Sequence, residues 1–186
     1  MRKVAIVGRC DNTRNQAPFD DDSWEVWGLA WDNLLRADRL FEIHDHWKTG
    51  GYFEGGGSDA NEQYLRWLQA CPCPIYLPEA DADVPTSLAY PVEEVKELIG
   101  GNPYLESSVG YMVALAILEG VDRIGIWGVD LTADDEYAYQ RPNTEYLIGF
   151  ARGRGIKVYV PQEAALLSSA WDSGRYGIGH GNQQLR

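Results

Sequence analysis

Residues 106–131, ESSVGYMVALAILEGVDRIGIWGVDL, constrain the fold more than any other part of the chain. The first half of this stretch repeats small or apolar residues every three or four positions, which is typical of a helix with a buried face. These residues are Val109, Met112, Val113, Ala116, Ile117 and Gly120. Residues 123–127 then have the pattern of a short buried strand that stops at Gly128. A helix, a tight turn and a buried strand form half of a parallel βαβ unit.

Both ends of this unit are candidate site regions, because ligands of parallel sheets bind beyond the carboxyl ends of strands and near helix N-termini. Ser107 and Ser108 can cap the helix start, and the same hydroxyl and N–H groups can bind a phosphate. Asp130 follows Gly128 at the strand end. Its carboxylate can bind a ribose hydroxyl, a metal or a substrate hydroxyl, or it can cap the following turn.

Strand and helix patterns alternate along the rest of the chain. Apolar runs typical of strands occupy residues 3–7, 25–29, 39–43, 74–77 and 156–160, and helical patterns occupy residues 59–70, 92–99 and 142–152. This alternation predicts a single-domain, Rossmann-like α/β fold with a predominantly parallel sheet and helices on both faces. We assign residues 1–167 to that domain and predict an extended or disordered tail over residues 168–186.

Two segments between these elements carry loop signals. Residues 49–58, TGGYFEGGGS, contain five glycines and predict a mobile loop, which is either a lid over a site or a plain connection. Residues 78–91 are acidic and without periodicity, and they are predicted to be a loop.

Composition narrows the class of partner. The 186 residues carry a net charge of −12 with no visible cluster of Lys and Arg, which argues against direct binding of duplex nucleic acid. No apolar run approaches the roughly 20 residues that cross a bilayer, and the apolar start is too short for a signal peptide. We therefore expect a cytoplasmic protein without a membrane segment, and homo-oligomerisation remains open.

The cysteines do not predict a disulfide framework or a metal site. There are three of them, and Cys71 and Cys73 stand in a CPCP pattern, unlike the Cys-x-x-Cys of zinc and redox sites. We interpret them as reduced thiols and predict no metal ligands.

Four further polar residues are candidates for chemistry. His44 ends the third predicted strand, where an imidazole can act as a general base. Asn12 and Asn33 each follow a predicted strand, and an asparagine amide can recognise a base or ribose edge or form a turn. Arg141 can pair with a phosphate or carboxylate, or it can form an internal ion pair with Glu136.

Two stretches resemble the bacterial sialyltransferases. Residues 4–8 run into a polar turn, and residues 25–29 lead to Asn33, as the nucleotide-binding start of that family does. Residues 107–110 and 128–130 are similar to its second signature, a Ser-Gly pair that opens a helix and a strand that ends in Gly-Ile/Val-Asp. Archaeal pterin diphosphokinases share this second pattern.

Three shorter motifs resemble a group of small phage-encoded proteins. They are Trp-Glu-Val-Trp-Gly at residues 24–28, Phe-Glu-Ile-His at residues 41–44 and the Glu-Tyr-x-x-Gln-Arg pattern at residues 136–141. The resemblance covers most of residues 3–160 as an architecture.

The resemblance implies a nucleotide-sugar-dependent glycosyltransferase-like protein that transfers a sugar to an acceptor hydroxyl. The catalytic candidates are His44 as base, Asp130, and Arg141 as the group that neutralises the departing phosphate. The candidates for binding the nucleotide or nucleotide sugar are Gly8, Asn12, Asn33, Ser107, Ser108, Gly128 and Gln140. We expect no tightly bound cofactor.

Two alternatives remain open. One is a non-catalytic protein of the same fold that binds or sequesters a nucleotide. The other is Mg²⁺-dependent transfer of a diphosphate to a hydroxymethyl compound, with Asp130, Asp134 and Asp135 as acidic ligands.

Sheet geometry gives one further expectation, because the carboxyl ends of parallel strands meet at one edge. At least four of five residues from distant parts of the chain should line a common cavity there. The five are Asn12, Asn33, His44, Ser107 and Asp130.

Overall fold

The computed structural model describes residues 1–44, 58–101, 104–132 and 137–167. The strands are β1 (Lys3–Val7), β2 (Trp24–Leu29), β3 (Arg39–Phe41), β4 (Ile75–Leu77), β5 (Ser87–Ala89), β6 (Arg123–Trp127) and β7 (Lys157–Tyr159). The helices are α1 (Asp11–Arg14), α2 (Ser58–Gln69), α3 (Val92–Leu98), α4 (Ser108–Leu118) and α5 (Tyr137–Gly153).

The strands form one sheet in the order β5-β4-β3-β2-β1-β6-β7, and every neighbouring pair is parallel. Strand β1 lies inside the sheet, where Ala5 is in register with Val26 on one side and Gly125 on the other. The chain moves outward from β1 to β5 and then returns to add β6 on the opposite side of β1. The strand order therefore reverses between β1 and β6, and this is the topological switch point of the sheet.

Alternate residues of the strands pack against helices on opposite faces. Val4, Ile6 and Ile126 belong to the core formed with α3, α4 and α5. Ala5 and Val7 face the other side, where Leu40 and Ile75 pack with Tyr64 and Leu68 of α2. The predicted fold class, a Rossmann-like α/β domain with a parallel sheet and helices on both faces, is confirmed.

Helix α4 is buried along almost its whole length, as its apolar pattern predicts. Ser107 is its N-cap, and the Ser107 hydroxyl accepts a hydrogen bond from the Gly110 N–H at 2.9 Å. At the other end, Gly120 takes φ 65°, and Val121 N–H donates to the Ala116 carbonyl. This is the bonding pattern of a Schellman turn, which satisfies the last carbonyls of a helix. Since α4 runs opposite to the strands, its N-terminus lies at the carboxyl end of the sheet.

The structure corrects three predictions about the elements. Strand β5 lies within residues 78–91, which were predicted to be a loop; it is three residues long and half exposed at the sheet edge, so it shows no apolar period. Strand β3 ends at Phe41 instead of residue 43. Helix α5 begins at Tyr137, before Pro142; this proline is exposed in the second turn, where its missing N–H removes a single helical hydrogen bond.

The glycine-rich loop at residues 49–57 and the predicted tail at residues 168–186 lie outside the described residues. Among the helices that the structure describes, none is both long and apolar enough to cross a membrane.

Candidate functional site

A cleft of about 720 Å³ opens at the carboxyl end of the sheet, beyond the ends of β1, β2, β3 and β6. It therefore lies at the switch point between β1 and β6, where open α/β sheets bind their ligands. Its described lining combines apolar strand ends with polar groups: Gly8, Arg9, Cys10, Leu29, Ala30, Phe41, Glu42, Ile43, His44, Leu105, Glu106, Ser107, Ser108, Val109, Tyr111, Gly128, Val129, Asp130, Leu131, Thr132 and Gln140.

The floor of the cleft is formed where the turns after β1 and β6 cross. Gly8 N–H donates to the Trp127 carbonyl at 2.8 Å, and Cys10 N–H donates to the Gly128 carbonyl at 2.9 Å. A Cβ on Gly8 would lie 2.3 Å from the Gly128 oxygen, and one on Gly128 would lie 2.6 Å from the Gly8 oxygen. Gly128 also takes φ 65°. Only glycine fits at both positions, so backbone atoms of both turns can approach a ligand closely.

The wall opposite this floor is the start of α4, which α5 holds in place. Ser107 is buried, and its hydroxyl lies 3.1 Å from the hydroxyl of the buried Thr144. Asn143, also buried, accepts a hydrogen bond from Glu106 N–H at 3.1 Å and donates one to the Tyr104 carbonyl. The Ser107 side chain therefore serves the helix cap, and the half-buried Ser108 is the serine whose side chain is better placed to meet a ligand.

His44 stands at the cleft with its side chain 49% exposed, and it forms a dyad with the buried Glu42. The Nδ1 atom of His44 is hydrogen-bonded to Glu42 Oε1, which also accepts the His44 backbone N–H at 3.1 Å. The other oxygen of Glu42 accepts a hydrogen bond from the Tyr64 hydroxyl of α2. A carboxylate on Nδ1 fixes the ring orientation and directs proton transfer to Nε2.

Asp130 lines the cleft and also ties together three parts of the chain. Asn12 Nδ2 lies within hydrogen-bond distance of both carboxylate oxygens, at 3.0 Å from Oδ1 and 2.7 Å from Oδ2. The Oδ1 atom also accepts a hydrogen bond from Ala165 N–H at 2.9 Å. Asn12 itself contacts Asp130 from behind and is not part of the lining. A carboxylate has about four acceptor positions, so these contacts are compatible with a further bond to a ligand hydroxyl.

Three of the five residues that were expected to converge line the cleft: His44, Ser107 and Asp130. Asn12 lies behind Asp130, and Asn33 is exposed elsewhere, with its carbonyl accepting from Arg14 at 3.2 Å. The expected minimum of four is therefore not reached. Asn12 lies in the short helix α1 after β1, and Asn33 lies in the irregular segment after β2; a strand pattern does not determine which way the residues after the strand direct their side chains.

Most of the remaining predicted site residues line the cleft, and one does not. Gly8, Ser108, Gly128 and Gln140 line the cleft, whereas Arg141 does not. Arg141 Nε donates to Glu145 at 2.9 Å, and its Nη2 donates to the Ala165 carbonyl at 2.9 Å. Its predicted alternative partner, Glu136, lies outside the described residues. The roles of all these residues toward a ligand stay predictions.

Glu42 and Arg9 are charged lining residues that were not among the candidates from the sequence. Glu42 is an acidic residue at the end of a buried strand, and the Phe-Glu-Ile-His motif was the available signal for it. Arg9 is the only Lys or Arg among the described lining residues, and its Nη2 donates to the Ala30 carbonyl at 2.9 Å. The signal for Arg9 was its place directly after Gly8, in the polar turn that resembles the nucleotide-binding start of the bacterial sialyltransferases.

The described residues contain no group of three or more His, Cys, Asp or Glu side chains that could hold a metal ion. Asp134 and Asp135, which the magnesium alternative requires, lie outside that part of the chain.

No protein-family model matches the chain, and no curated protein matches it. The chain does match solved structures. The sialyltransferase CstII from Campylobacter jejuni in complex with the substrate analogue CMP-3FNeuAc is 16% identical, covers 86% of this chain and 80% of its own, and gives a TM-score of 0.56. The sialyltransferase CST-II with trisaccharide acceptor and CMP is 15% identical over 86% of this chain and 80% of its own, with a TM-score of 0.54.

A third structure, an alpha-2,3-sialyltransferase from Campylobacter jejuni in apo form, is 15% identical over 92% of this chain and 78% of its own, with a TM-score of 0.53. At these identities the likeness shows a shared, sialyltransferase-like α/β fold. The resemblances to phage proteins and to pterin diphosphokinases stay predictions.

Proposed function

We propose that this protein is a glycosyltransferase-like enzyme that binds a nucleotide sugar and transfers the sugar to an acceptor hydroxyl. The observation that carries the proposal is the cleft at the β1–β6 switch point, which has a two-glycine backbone floor and a histidine–carboxylate dyad at its edge. A glycine floor suits close approach of a nucleotide, and the dyad suits activation of a hydroxyl. The sialyltransferase-like fold supports the same class, since neighbours of that fold are described with CMP or a CMP-sugar analogue.

In this proposal the nucleotide lies over Gly8 and Gly128, against the start of α4 at Ser108. The acceptor hydroxyl approaches His44, whose Nε2 takes the hydroxyl proton as the oxygen attacks the sugar. Glu42 acts through His44: it holds the ring and stabilises the imidazolium that forms. Asp130, which lies two residues after Gly128 and also lines the cleft, accepts a hydrogen bond from a ligand hydroxyl in this proposal.

The leaving nucleotide gains negative charge on its phosphate as the sugar departs. Amide N–H groups at a helix start stabilise such charge, so the chemistry does not depend on a metal in principle. Arg141 keeps its proposed role only if it turns toward the cleft on ligand binding, because in this structure it contacts Glu145 and the Ala165 carbonyl.

The test combines binding with turnover. The protein is titrated with the 5′-monophosphates of the four common nucleosides and with CMP-, UDP- and GDP-sugars, with Mg²⁺ and with EDTA. Binding of a nucleotide and release of free sugar from the matching nucleotide sugar, at equal rates in both buffers, is the expected result. Binding without release would favour the non-catalytic alternative, and strict dependence on Mg²⁺ would favour diphosphate transfer. Absence of any nucleotide binding would overturn the proposal.

The His44–Glu42 dyad gives a second, residue-level test. His44→Ala should lower turnover about 100-fold or more and leave nucleotide affinity nearly unchanged. Glu42→Gln keeps the shape of the side chain and should move the pH dependence of turnover, because the imidazole loses its negative partner. The matched control is Glu62→Gln, an exposed acid of α2 that removes the same charge away from the cleft. If His44→Ala lowers affinity and turnover together, His44 binds the nucleotide and is not the base.

A further inference from the structure

We propose that Cys71 and Cys73 form a reactive dithiol, which a hydroperoxide oxidises to a reversible disulfide. The site lies outside the cleft, and the inference does not depend on the function proposed for the cleft. It follows from the position of the two thiols, from their contact with each other, and from the way in which they share their protons.

The position of the pair is the first step. The two cysteines lie in the segment that connects α2 to β4, at the amino end of the sheet. Cys71 is buried and Cys73 is half-buried, whereas the prolines that follow them, Pro72 and Pro74, are exposed. The pair therefore lies directly beneath the surface, where an oxidant of nearly the size of water can approach it from the side of Cys73.

The second step is the contact between the two sulfur atoms. They lie 3.9 Å apart, and both thiols are reduced in this structure. When one sulfur reacts, the other is already beside it, and such proximity replaces a collision between two molecules by a step within one. The sequence alone led us to interpret these cysteines as reduced thiols, and the contact shows that they are also a pair.

Hydrogen bonds hold the backbone on both sides of the pair. Cys71 N–H donates to the Leu68 carbonyl at 3.2 Å, and the Thr86 hydroxyl donates to the Cys71 carbonyl at 3.3 Å. The Pro74 carbonyl accepts a hydrogen bond from Leu40 N–H of β3 at 2.9 Å. These bonds tie the segment to α2, to β3 and to the residues before β5, so the fold keeps the two thiols together.

The third step is the way in which the pair shares its protons. A hydrogen bond from the Cys73 thiol lowers the pKa of Cys71 to about 6, although burial opposes this change. The same hydrogen bond, burial and the negative charges of Cys71 and Asp38 raise the pKa of Cys73. When Cys71 is protonated, it donates to the Cys73 carbonyl at 3.3 Å instead. At neutral pH the pair therefore holds one thiolate, which is the nucleophile, and one thiol, which can resolve the product.

The oxidation runs in two balanced steps. In the first, the Cys71 thiolate attacks the terminal oxygen of the hydroperoxide, the O–O bond breaks, and a sulfenic acid forms on Cys71 as hydroxide or alkoxide leaves. In the second, the sulfur of Cys73 attacks the sulfenic sulfur, the S–O bond breaks, and the oxygen leaves as water with the thiol proton. The pair loses two electrons and two protons, the hydroperoxide gains them, and a thiol reductant reverses the change.

The experiment uses hydrogen peroxide as the probe, added to the reduced protein at pH 7. The remaining thiols are then alkylated, and the peptides are weighed by mass spectrometry. The expected product is a peptide that is lighter by two hydrogen atoms, carries no alkyl group at either cysteine, and regains both thiols with dithiothreitol.

Cys10 is the internal control, because it is a half-buried thiol that lies after β1, at the opposite end of the sheet. The pair should be oxidised about 10-fold faster than Cys10, because an ordinary thiol is mostly protonated at pH 7 and the thiolate is the nucleophile. The rate for the pair should stay nearly constant from pH 8 to 7 and fall as the pH drops through about 6, the pKa of Cys71.

Two variants separate the roles within the pair. In Cys73→Ala, oxidation should stop at a sulfenic acid on Cys71, which dimedone traps. It should also require a higher pH, because the hydrogen bond that lowers the pKa of Cys71 is lost. Cys10→Ala is the matched control, and its pair should be oxidised as in the wild type.

Three results would overturn the inference. If peroxide gives only sulfinic and sulfonic acids at these positions, or only disulfides between two molecules, the thiols do not act as a pair. If Cys10 is oxidised first while Cys71 and Cys73 still react with the alkylating agent, the pair is not reactive. A wild-type rate that keeps rising from pH 7 to 9 would show that Cys71 is not the attacking thiolate. None of these results bears on the function proposed for the cleft, because the test involves no nucleotide.

Discussion

The charged side chains at the two ends of the sheet have different partners. At the amino end, Arg2, Glu25, Arg39 and Glu119 form a closed ring in which each carboxylate contacts both guanidinium groups, at N–O distances of 2.5–2.9 Å. At the carboxyl end, the part of the cleft lining that the structure describes contains three carboxylates and one guanidinium. There, Glu42 is hydrogen-bonded to His44 and Tyr64, Asp130 accepts hydrogen bonds from Asn12 and Ala165, and Arg9 donates to the Ala30 carbonyl.

This difference separates a structural cluster of charges from a candidate binding site. The charges of the ring are paired within the chain, and Arg39 also packs over Trp27 at 5.0 Å, so the ring joins β2, β3 and the residue before β1 to the end of α4. The cleft has an excess of one sign and an opening to solvent. The charged groups of the ring contact one another, whereas the described charged residues of the carboxyl end border an open cleft, and this placement indicates which end faces a ligand.

The largest effect is expected from Gly8→Ala, which changes the carboxyl end alone. The new Cβ would overlap the Gly128 carbonyl oxygen, so the crossing turns must separate, at a cost of about 3 kcal/mol in the free energy of unfolding. Gly149→Ala is the control, because its Cβ points to open space on α5 and should raise stability by roughly 0.5–1 kcal/mol. Urea unfolding of both variants measures the difference; equal stability of Gly8→Ala and wild type would contradict the crossing.

The next effect is expected from Glu25→Gln, which breaks the ring at the amino end. The loss of the carboxylate leaves Arg2 and Arg39 with fewer partners and should cost about 2 kcal/mol at pH 7. Nucleotide binding should be unchanged, because the cleft lies at the other end. A parallel loss of binding, measured by calorimetry, would show that the two ends are coupled.

The pH dependence of the same variant sharpens the comparison. Burial alone would raise the pKa of Glu25, but the hydrogen bond from Arg2 and the charge of Arg39 together hold this pKa below its usual value of 4.5. The folded state therefore gains stability from Glu25 above that value and loses it as the pH falls through the lowered pKa. The stability gap between wild type and Glu25→Gln should be constant from pH 7 to 5 and shrink below pH 4.5. A gap that persists at pH 2 would indicate lost packing instead of lost charge pairing.

The smallest effect is expected at the contact between Asn12 and Asp130. A double-mutant cycle with Asn12→Ala and Asp130→Asn should give a coupling of about 1 kcal/mol in unfolding free energy, because Asn12 Nδ2 donates to the carboxylate of Asp130. If Asp130 also binds the ligand, Asp130→Asn should weaken nucleotide binding more than Asn12→Ala does. Equal weakening would assign Asp130 a purely structural role.

The architecture could be predicted from the sequence because its signals are local. The apolar period of α4, its serine cap and its final glycine all lie within one short stretch, and they gave the buried helix and its ends. Strand β5 has no such period, because a short edge strand buries little of its surface. The ring at the amino end was not visible either, since Arg2 and Glu119 are 117 positions apart.

The lining of the cleft could be predicted most directly where a backbone feature requires a residue type, and positions just beyond strand ends also indicated His44 and Asp130. Gly8, Ser107 and Gly128 were found because a turn or a cap requires those residue types. Asn33 and Arg141 lie outside the cleft, because a residue near a strand end or within a helix can face either side. Glu42 was not predicted because the sequence does not distinguish a buried glutamate from an exposed one. Its partners, His44 and Tyr64, are known only from the structure.

The crossing of Gly8 and Gly128 has a consequence for how the ligand preference of such a protein can change over time. A Cβ on either glycine would overlap the carbonyl oxygen of the other. A single substitution of either glycine therefore destabilises the crossing, and the floor is not expected to change through single substitutions. The residues that line the cleft with side chains, such as Arg9, Ser108 and Gln140, are not restricted in this way. We call these residues the rim. A change of substrate is therefore expected to arise at the rim, over a floor that stays constant.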